Sequence, residues 1–179
     1  MSKSKLTYHS DTDIIEACLR SDRAAQKALY DRFKTRMYTL AYRITGNFDD
    51  ANDVLQEGFI LIFGKLHTFK GEAKLSSWIH TIITRAAIRK IKDRIYFEDI
   101  ENADVSSNID WGASINIDYL EKAIANLPEG YRAIFTLYEI EGFKHHEIAE
   151  LMDISEGTSK SQLFKAKKML RENLEKMIS

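Results

Sequence analysis

The sequence predicts an all-α fold: two small helical domains joined by an acidic linker, the C-terminal one containing a helix-turn-helix. Three observations predict it. Apolar residues recur at three- and four-residue steps over long stretches. One proline and eight glycines in 179 residues leave those periods almost uninterrupted. Charge is also segregated along the chain. Residues 65–94 are basic, with Lys65, Lys70, Lys74, Arg85, Arg89, Lys90, Lys92 and Arg94 against Glu72 and Asp93. Residues 97–118 contain no Lys or Arg but carry Glu98, Asp99, Glu101, Asp104, Asp110 and Asp118. After Lys160 the chain is basic again.

The elements follow in order. Ser10 or Asp11 is placed to cap a short helix bearing Ile14, Ile15, Cys18 and Leu19. Ser21 or Asp22 opens a longer one, with Ala25, Ala28, Leu29, Phe33, Met37, Leu40, Ala41 and Ile44 on its apolar stripe; Gly46 ends it. Asp49 or Asp50 starts a third helix carrying Ala51, Val54, Leu55, Phe59, Ile62, Phe63 and Leu66. The run "TFKGEAKLSS" breaks the period. Ser76 or Ser77 then begins a fourth helix with Trp78, Ile79, Ile82, Ile83, Ala86 and Ile91. Residues 96–117 read as a polar linker. Two helices separated around Leu127 and Pro128 follow, then "HHEIAELMDIS", a tight turn and a longer basic helix, which is a helix-turn-helix pattern. The expected domains are 10–95 and 118–179, flanking the linker.

Composition narrows the class. An apolar share of 44% and a charged share of 30% describe a soluble globular chain. The single cysteine, Cys18, rules out an internal disulfide or a cysteine-based zinc site and reads as a small core residue. No apolar run is long enough to span a membrane and "MSKSKLTYHSD" lacks a signal-peptide core, so the cytoplasm is the expected location. No enzymatic constellation is found. "HEIAE" at residues 146–150 has Glu150 where the zincin motif needs its second histidine, and there is no P-loop, nucleophile elbow or dinucleotide fingerprint. His9, His67, His80 and His145 stand apart from any triad-like arrangement.

Binding chemistry is better represented. In "SEGTSKSQLFKAKKML", Ser155 is a cap, Gly157 permits close backbone approach, and Thr158, Ser159 and Ser161 crowd the first turn. Lys160, Lys165, Lys167 and Lys168 follow, with Leu163, Ala166 and Leu170 on one buried stripe. A hydroxyl-rich, positive helix start suits a phosphate-lined groove, and equally a solvated surface helix. On the fourth helix Trp78, His80, Thr81, Thr84, Arg85, Ile88 and Arg89 mix aromatic, hydroxyl and cationic groups, as unpaired bases require. The bland reading puts Trp78 in the core and leaves the arginines solvated. In "DDANDVLQE" the aspartates favour a helix N-terminus. Yet Gln56, Glu57 and Ile60 fall on a face away from Val54, Leu55, Phe59 and Ile62, which fits docking to a basic partner.

Together these segments resemble the sigma factors of bacterial RNA polymerase, in the small extracytoplasmic-function (ECF) group of the sigma-70 family, over residues 11–174. "DANDVLQEGFILIF" is similar to the polymerase-docking helix, of the form D-A-E-D-x-x-Q-E-x-F. "FKGEAKLSSWIHTI" resembles the loop and helix that read the −10 promoter element. "LPEGYRAIFTLYEIEGFKHHEIAELMDISEGTSKSQLFKAKKML" resembles the −35-reading domain, its last helix beside the pattern G-T-V-K/R-S-R-L-x-R-A. The chain departs from the family pattern at Arg85 (often asparagine), Tyr138 (basic in some members), Lys144 (Ser or Thr), Ser159 (valine), and Gln162 and Lys165 (arginines).

The resemblance implies a sigma factor without catalysis, cofactor or metal, which binds core polymerase, directs it to promoters and helps open the duplex. Its implied partners are core RNA polymerase, promoter DNA (duplex at −35, single-stranded at −10) and an anti-sigma protein, with no membrane insertion. The implied −35 contacts are Ser155, Gly157, Thr158, Lys160, Ser161, Gln162, Phe164 and Lys165, with Gln162 suited to a bidentate pair with adenine. The implied −10 contacts are Lys70, Gly71, Glu72, Ala73, Lys74, Ser76, Ser77, Trp78, His80, Thr81, Thr84, Arg85, Ile88 and Arg89. Asp50, Asp53, Gln56, Glu57 and Ile60 are implied to meet the polymerase. The acidic linker is implied to thread a polymerase channel, against the alternative that it solvates itself or rests on the chain's own basic helix. Two other functions stay open: a helix-turn-helix regulator acting on duplex DNA without polymerase, and an adaptor that docks only to protein.

Overall fold

The computed structural model describes residues 10–95 and 117–178, so the expected acidic linker lies outside the described residues except at Ile117. The described chain is all helix and connections: α1 (Asp11–Leu19), α2 (Arg23–Thr45), α3 (Phe48–Lys65), α4 (Leu75–Lys92), α5 (Ile117–Ala125), α6 (Glu129–Phe135), α7 (His145–Met152) and α8 (Glu156–Ile178). A 3-10 turn (Leu66–Thr68) follows α3, and α6 runs on as a π-helical turn (Thr136–Ile140). The chain forms two compact units, one of Met1–Ala41 and Phe48–Ala87, the other of Tyr42–Asn47 and Ile88–Ser179.

In the first unit the helix starts are set by side chains. Ser10 Oγ accepts the Asp13 N–H at 3.1 Å and the Asp13 carboxylate accepts the Ser10 N–H at 3.1 Å, a reciprocal capping box. Ser21, at φ 60°, breaks the chain, and Asp22 caps α2 by accepting from Ala24 at 2.8 Å and Ala25 at 3.3 Å. The core is built from Ile14, Leu29, Phe33, Met37, Val54, Phe59, Ile62, Leu75, Ile79 and Ile83. Gly58 lets α3 and α4 approach closely, since a Cβ there would lie 2.3 Å from the Ile83 Cδ1. Burial, with the Asp22 charge adding to it, pushes the Cys18 thiol up to about 11, so it stays protonated in the core. Helix α4 begins one residue ahead of the expected serine start. Leu75 is buried, and the N–H groups of Ser77 and Trp78 both donate to the Lys74 carbonyl, so no serine side chain is needed.

The second unit is organised by α8, which packs on α5, α6 and α7. Leu163, Ala166, Leu170 and Leu174 form its apolar stripe against Ile124, Leu127, Ile134, Phe135, Leu137, Ile148 and Met152. Arg132, only 5% exposed, lies among carbonyls at helix ends. Its Nη1 donates to Leu127 O at 2.7 Å and Ala125 O at 3.2 Å, and its Nη2 to Thr45 O at 2.6 Å. Ala125 and Thr45 are the last residues of α5 and α2, whose terminal carbonyls carry the negative end of a helix dipole, and Leu127 lies in the turn that follows α5, so one buried cation suits all three oxygens. Burial pulls the guanidinium's pKa down, yet an arginine stays charged at any physiological pH. Gly46, at φ 67°, closes α2 and leaves room for that guanidinium, since a Cβ would stand 2.3 Å from Arg132 Cζ.

The expected helix-turn-helix is α7, the turn 153–155, and α8. Asp153 adopts φ 58° at the end of α7, and the Ile154 N–H returns to Ala149 O at 3.1 Å. At the start of α7, Lys144 has no acceptor to offer as a cap; Glu147 alone closes that end by accepting the Lys144 N–H at 2.7 Å.

Arg132→Met keeps volume but orphans the carbonyl set, and should lower unfolding free energy by about 3 kcal/mol. Urea denaturation measures this, with Arg132→Lys expected to recover only part because an ammonium cannot reproduce the planar fork.

Candidate nucleic-acid interface

Three faces hold the chemistry anticipated from the sequence. On α3, Asp53, Gln56, Glu57 and Ile60 are exposed at helical spacing and Asp50 is half-buried; Val54, Leu55, Phe59 and Ile62 point inward. Ile60 is 71% exposed, an apolar group held in water within an acidic stripe. Such a combination fits a surface that is covered part of the time.

The second face is the connection ahead of α4 and the helix itself. Lys70, Gly71, Glu72, Ala73 and Lys74 are exposed, and Gly71 takes φ 75°, a turn conformation that favours glycine. On α4, Ser77, Arg85 and Arg89 are exposed, while Ser76, Trp78, His80 and Thr81 are half-buried. Thr81 spends its hydroxyl inside the helix, donating to Ser77 O at 3.0 Å. Trp78 packs tilted against Phe69 with ring centroids 5.5 Å apart, and both rings are half-buried beside the basic connection. Two of the expected contacts are buried in the free chain. Thr84 is 1% exposed and Ile88 is 2% exposed, alongside the buried Ile83 and Ala87.

The third face is α8. Its cap behaves as expected: Ser155 Oγ accepts the Thr158 N–H at 2.9 Å and lies 2.8 Å from Thr158 Oγ1. Gly157 and Lys160 are exposed, and Phe164 and Lys165 are half-buried. Thr158, Ser161 and Gln162, expected to face the groove, are buried in the free chain, as is Ser159. The reason is hydroxyl chemistry. Ser161 Oγ donates to Thr158 O at 3.1 Å and Ser159 Oγ lies 2.9 Å from the His145 Nδ1, so these two hydroxyls are satisfied inside the protein. Gln162, at 1% exposure, is not presented to a base edge here. The outward stripe is instead Lys160, Phe164, Lys168 and Arg171.

The sequence reading singled out neither Phe69 nor Arg171, and named Lys168 among the helix's lysines without including it in the implied −35 contacts. The two cations follow Lys160 and Phe164 at four- and three-residue steps, so extending the exposed stripe would have found them. Phe69 lies outside any helical period and left no such signal. Among the described residues there is no group of three or more His, Cys, Asp or Glu placed to hold a metal ion, and no helix long and apolar enough to cross a membrane.

An acidic exposed face on α3, a basic connection backed by aromatic side chains and a helix-turn-helix follow one another along the chain, the order of parts in a transcription-initiation factor of the sigma class. The Sigma-70 region 2 family description matches residues 29–95 and Sigma-70 region 4 matches residues 117–170. The chain belongs to the sigma-70 family of sigma factors, which direct transcription initiation. It is similar to the ECF RNA polymerase sigma-E factor of Haemophilus influenzae, 29% identical over 94% of this chain and 97% of that one. It is also similar to the ECF RNA polymerase sigma factor SigW of Bacillus subtilis, 27% identical over 89% and 94%. In fold it resembles the sigma factor RpoE of Bartonella quintana, solved with the anti-sigma factor NepR (TM-score 0.51, 21% identity, 83% of this chain and 96% of that one). CnrH, solved with the cytosolic domain of CnrY, has the same TM-score of 0.51 at 18% identity over 92% and 97%.

Ser155→Ala removes the cap of α8 and should cost about 1 kcal/mol in thermal or urea unfolding, with Ser155→Asp losing much less. Equal stability of the alanine and aspartate variants would show that the cap carries no weight.

Proposed function

We propose that the two matched regions divide the work of promoter recognition: residues 10–95 dock on core polymerase and read and melt the −10 element, residues 118–179 read the −35 duplex, and 96–117 connect them. The observation that carries this reading is the pairing of opposite faces. An exposed acidic stripe on α3 is followed by basic exposed faces on α4 and α8, which suits one cationic protein partner and one polyanion. Docking falls to Asp53, Gln56, Glu57 and Ile60, with Asp50 at the edge of the stripe. The −10 strand meets Lys70, Lys74, Ser77, Arg85 and Arg89, and the exposed part of Trp78 offers a stacking surface for an unpaired base. The −35 duplex meets Lys160, Phe164 and Lys165, extended by Lys168 and Arg171, with Ser155 and Gly157 beside phosphates. The protein works in the cytoplasm, performs no covalent chemistry, and is held inactive by an anti-sigma protein, a reading favoured by the fold it shares with sigma factors solved in such complexes.

Promoter-dependent run-off transcription with purified core polymerase tests this. Transcripts from a selected promoter, absent with core alone, support it; duplex binding with no transcription would favour a regulator that acts without polymerase. Asp53→Lys with Glu57→Lys should weaken core binding at least tenfold while circular dichroism stays unchanged, since both side chains are exposed. Lys160→Ala and Lys165→Ala should each lower duplex affinity across sequences and reduce the salt slope by about one where the lysine meets a phosphate. Unchanged slopes in both would move the DNA face elsewhere.

A further inference from the structure

One imidazole joins the three parts of the helix-turn-helix region. His145 is the first residue of α7, and its Nδ1 lies 2.9 Å from Ser159 Oγ. Ser159 is fully buried, one turn into α8, where its own N–H is already committed to Ser155 O at 3.0 Å. A face of the ring stacks on Tyr138 of the π-helical turn, with centroids 4.3 Å apart and planes at 22°. The side chain thus touches the end of the α6 segment, begins α7 and bonds α8. A hydrogen bond has narrow limits of distance and angle, so it fixes an inter-helix crossing more sharply than an apolar contact would.

The charges around the ring come from two elements. Lys160, Lys167 and Glu156 lie on α8, and Glu139 on the π-helical turn. They are largely paired among themselves, Lys167 to Glu139 at 2.6 Å and Lys160 to Glu156 at 3.7 Å, which leaves no carboxylate dedicated to an imidazolium. Burial, then the Lys160 charge, holds the His145 pKa below its ordinary value.

We propose that neutral His145 is a positioning residue for α8: by holding Ser159 and stacking on Tyr138, it sets the crossing of α7 and α8 and so the register in which the outward face of α8 meets a duplex. This rests on the assignment of α8 to −35 recognition. The sign with pH follows from the depressed pKa. Above about pH 6.5, the ordinary histidine value, the ring is neutral in folded and unfolded protein alike and the strut is intact. Below it the unfolded chain takes up the proton more readily, so the folded arrangement weakens as pH falls from there towards the lowered folded-state pKa. A proton on His145 also adds positive charge close to DNA, which alone would strengthen binding to any duplex. The two effects separate in the ratio of specific to non-specific affinity.

The experiment uses holoenzyme made from the full chain. A duplex selected from a randomised pool at pH 7.5 is compared with its scrambled version from pH 5.5 to 8 at constant ionic strength. The wild-type affinity ratio should be high at pH 7.5 and should fall as the pH passes below the lowered folded-state pKa of His145. His145→Asn, which keeps a hydrogen-bonding group near Nδ1 and does not titrate, should retain a high ratio that is flat with pH. His145→Phe, which keeps the stack and loses the bond, and Ser159→Ala should each show a low ratio at every pH. Thermal unfolding of each free variant identifies any that fail to fold. A selected duplex whose ratio is indifferent to pH, to His145→Phe and to Ser159→Ala overturns the positioning role alone. If no sequence can be selected at any pH, the assignment of α8 to −35 recognition fails and this inference fails with it.

Discussion

Helix α8 has to be a core element and a surface element at once, and the second unit is arranged around that requirement. Leu163, Ala166, Leu170 and Leu174 commit one side to α5, α6 and α7. A helix of 23 residues that buried only this stripe would leave its N-terminal turns wide open, yet Thr158, Ser159, Ser161 and Gln162 are buried there as well. Polar groups removed from water must find partners or cost on the order of 1–3 kcal/mol each. The hydroxyls find them locally: Ser155 and Thr158 bond each other, Ser161 bonds a backbone carbonyl and Ser159 meets His145. What remains for solvent includes Lys160, Lys168, Arg171 and Lys176, interspersed with Glu156, Glu172 and Glu175, while Phe164 is half-buried.

The same logic governs the helix ends. Short helices such as α5 and α6 (nine and seven residues) gain little from propensity and depend on what satisfies their termini. Arg132 answers for several carbonyls with one planar fork, a role lysine's point charge cannot fill. The π-helical turn after α6 widens the backbone by one residue per turn and brings Tyr138 and Glu139 to His145 and Lys167. A continuous α-helix would carry residues 138 and 139 to other positions, so a local irregularity in α6 supports both contacts.

Most of the architecture was legible because apolar periodicity is a consequence of burial. The stripes of α2, α3 and α4, the acidic face of α3 and the three-residue turn before α8 all follow from residue spacing. Arg132 was not legible, since a lone arginine on a short helix looks like any solvated cation until the carbonyls around it are known. The burial of Thr158, Ser161 and Gln162 was hidden for a related reason. A hydroxyl or amide near a helix start suits capping, internal bonding and ligand contact equally well, and only packing decides among them. Thr84 shows the opposite error, in which a polar residue was counted towards a surface although Ile83, Ala86 and Ala87 around it signal an inward face. The departure of the α4 start from the serines has a simpler cause: burial of Leu75 outweighs a cap.

A formal net charge of −1 is compatible with a DNA-binding role once the faces are considered separately. Electrostatic attraction to a duplex acts within a Debye length of about 8 Å at physiological salt, so the phosphates respond to the stripe they touch and not to the sum over the chain. Near-neutrality then has a functional consequence. A strongly cationic chain would bind any DNA at any time, because the non-specific term grows with each phosphate neutralised. Here the basic faces of α4 and α8 are small, and the acidic α3 stripe gives no help on DNA alone. Two modest DNA contacts on one chain become strong only when both are engaged together, since the second then binds at a high effective concentration. Under the proposed docking on the acidic face, core polymerase would hold both contacts against one promoter, which would tie affinity for DNA to assembly of the transcription complex.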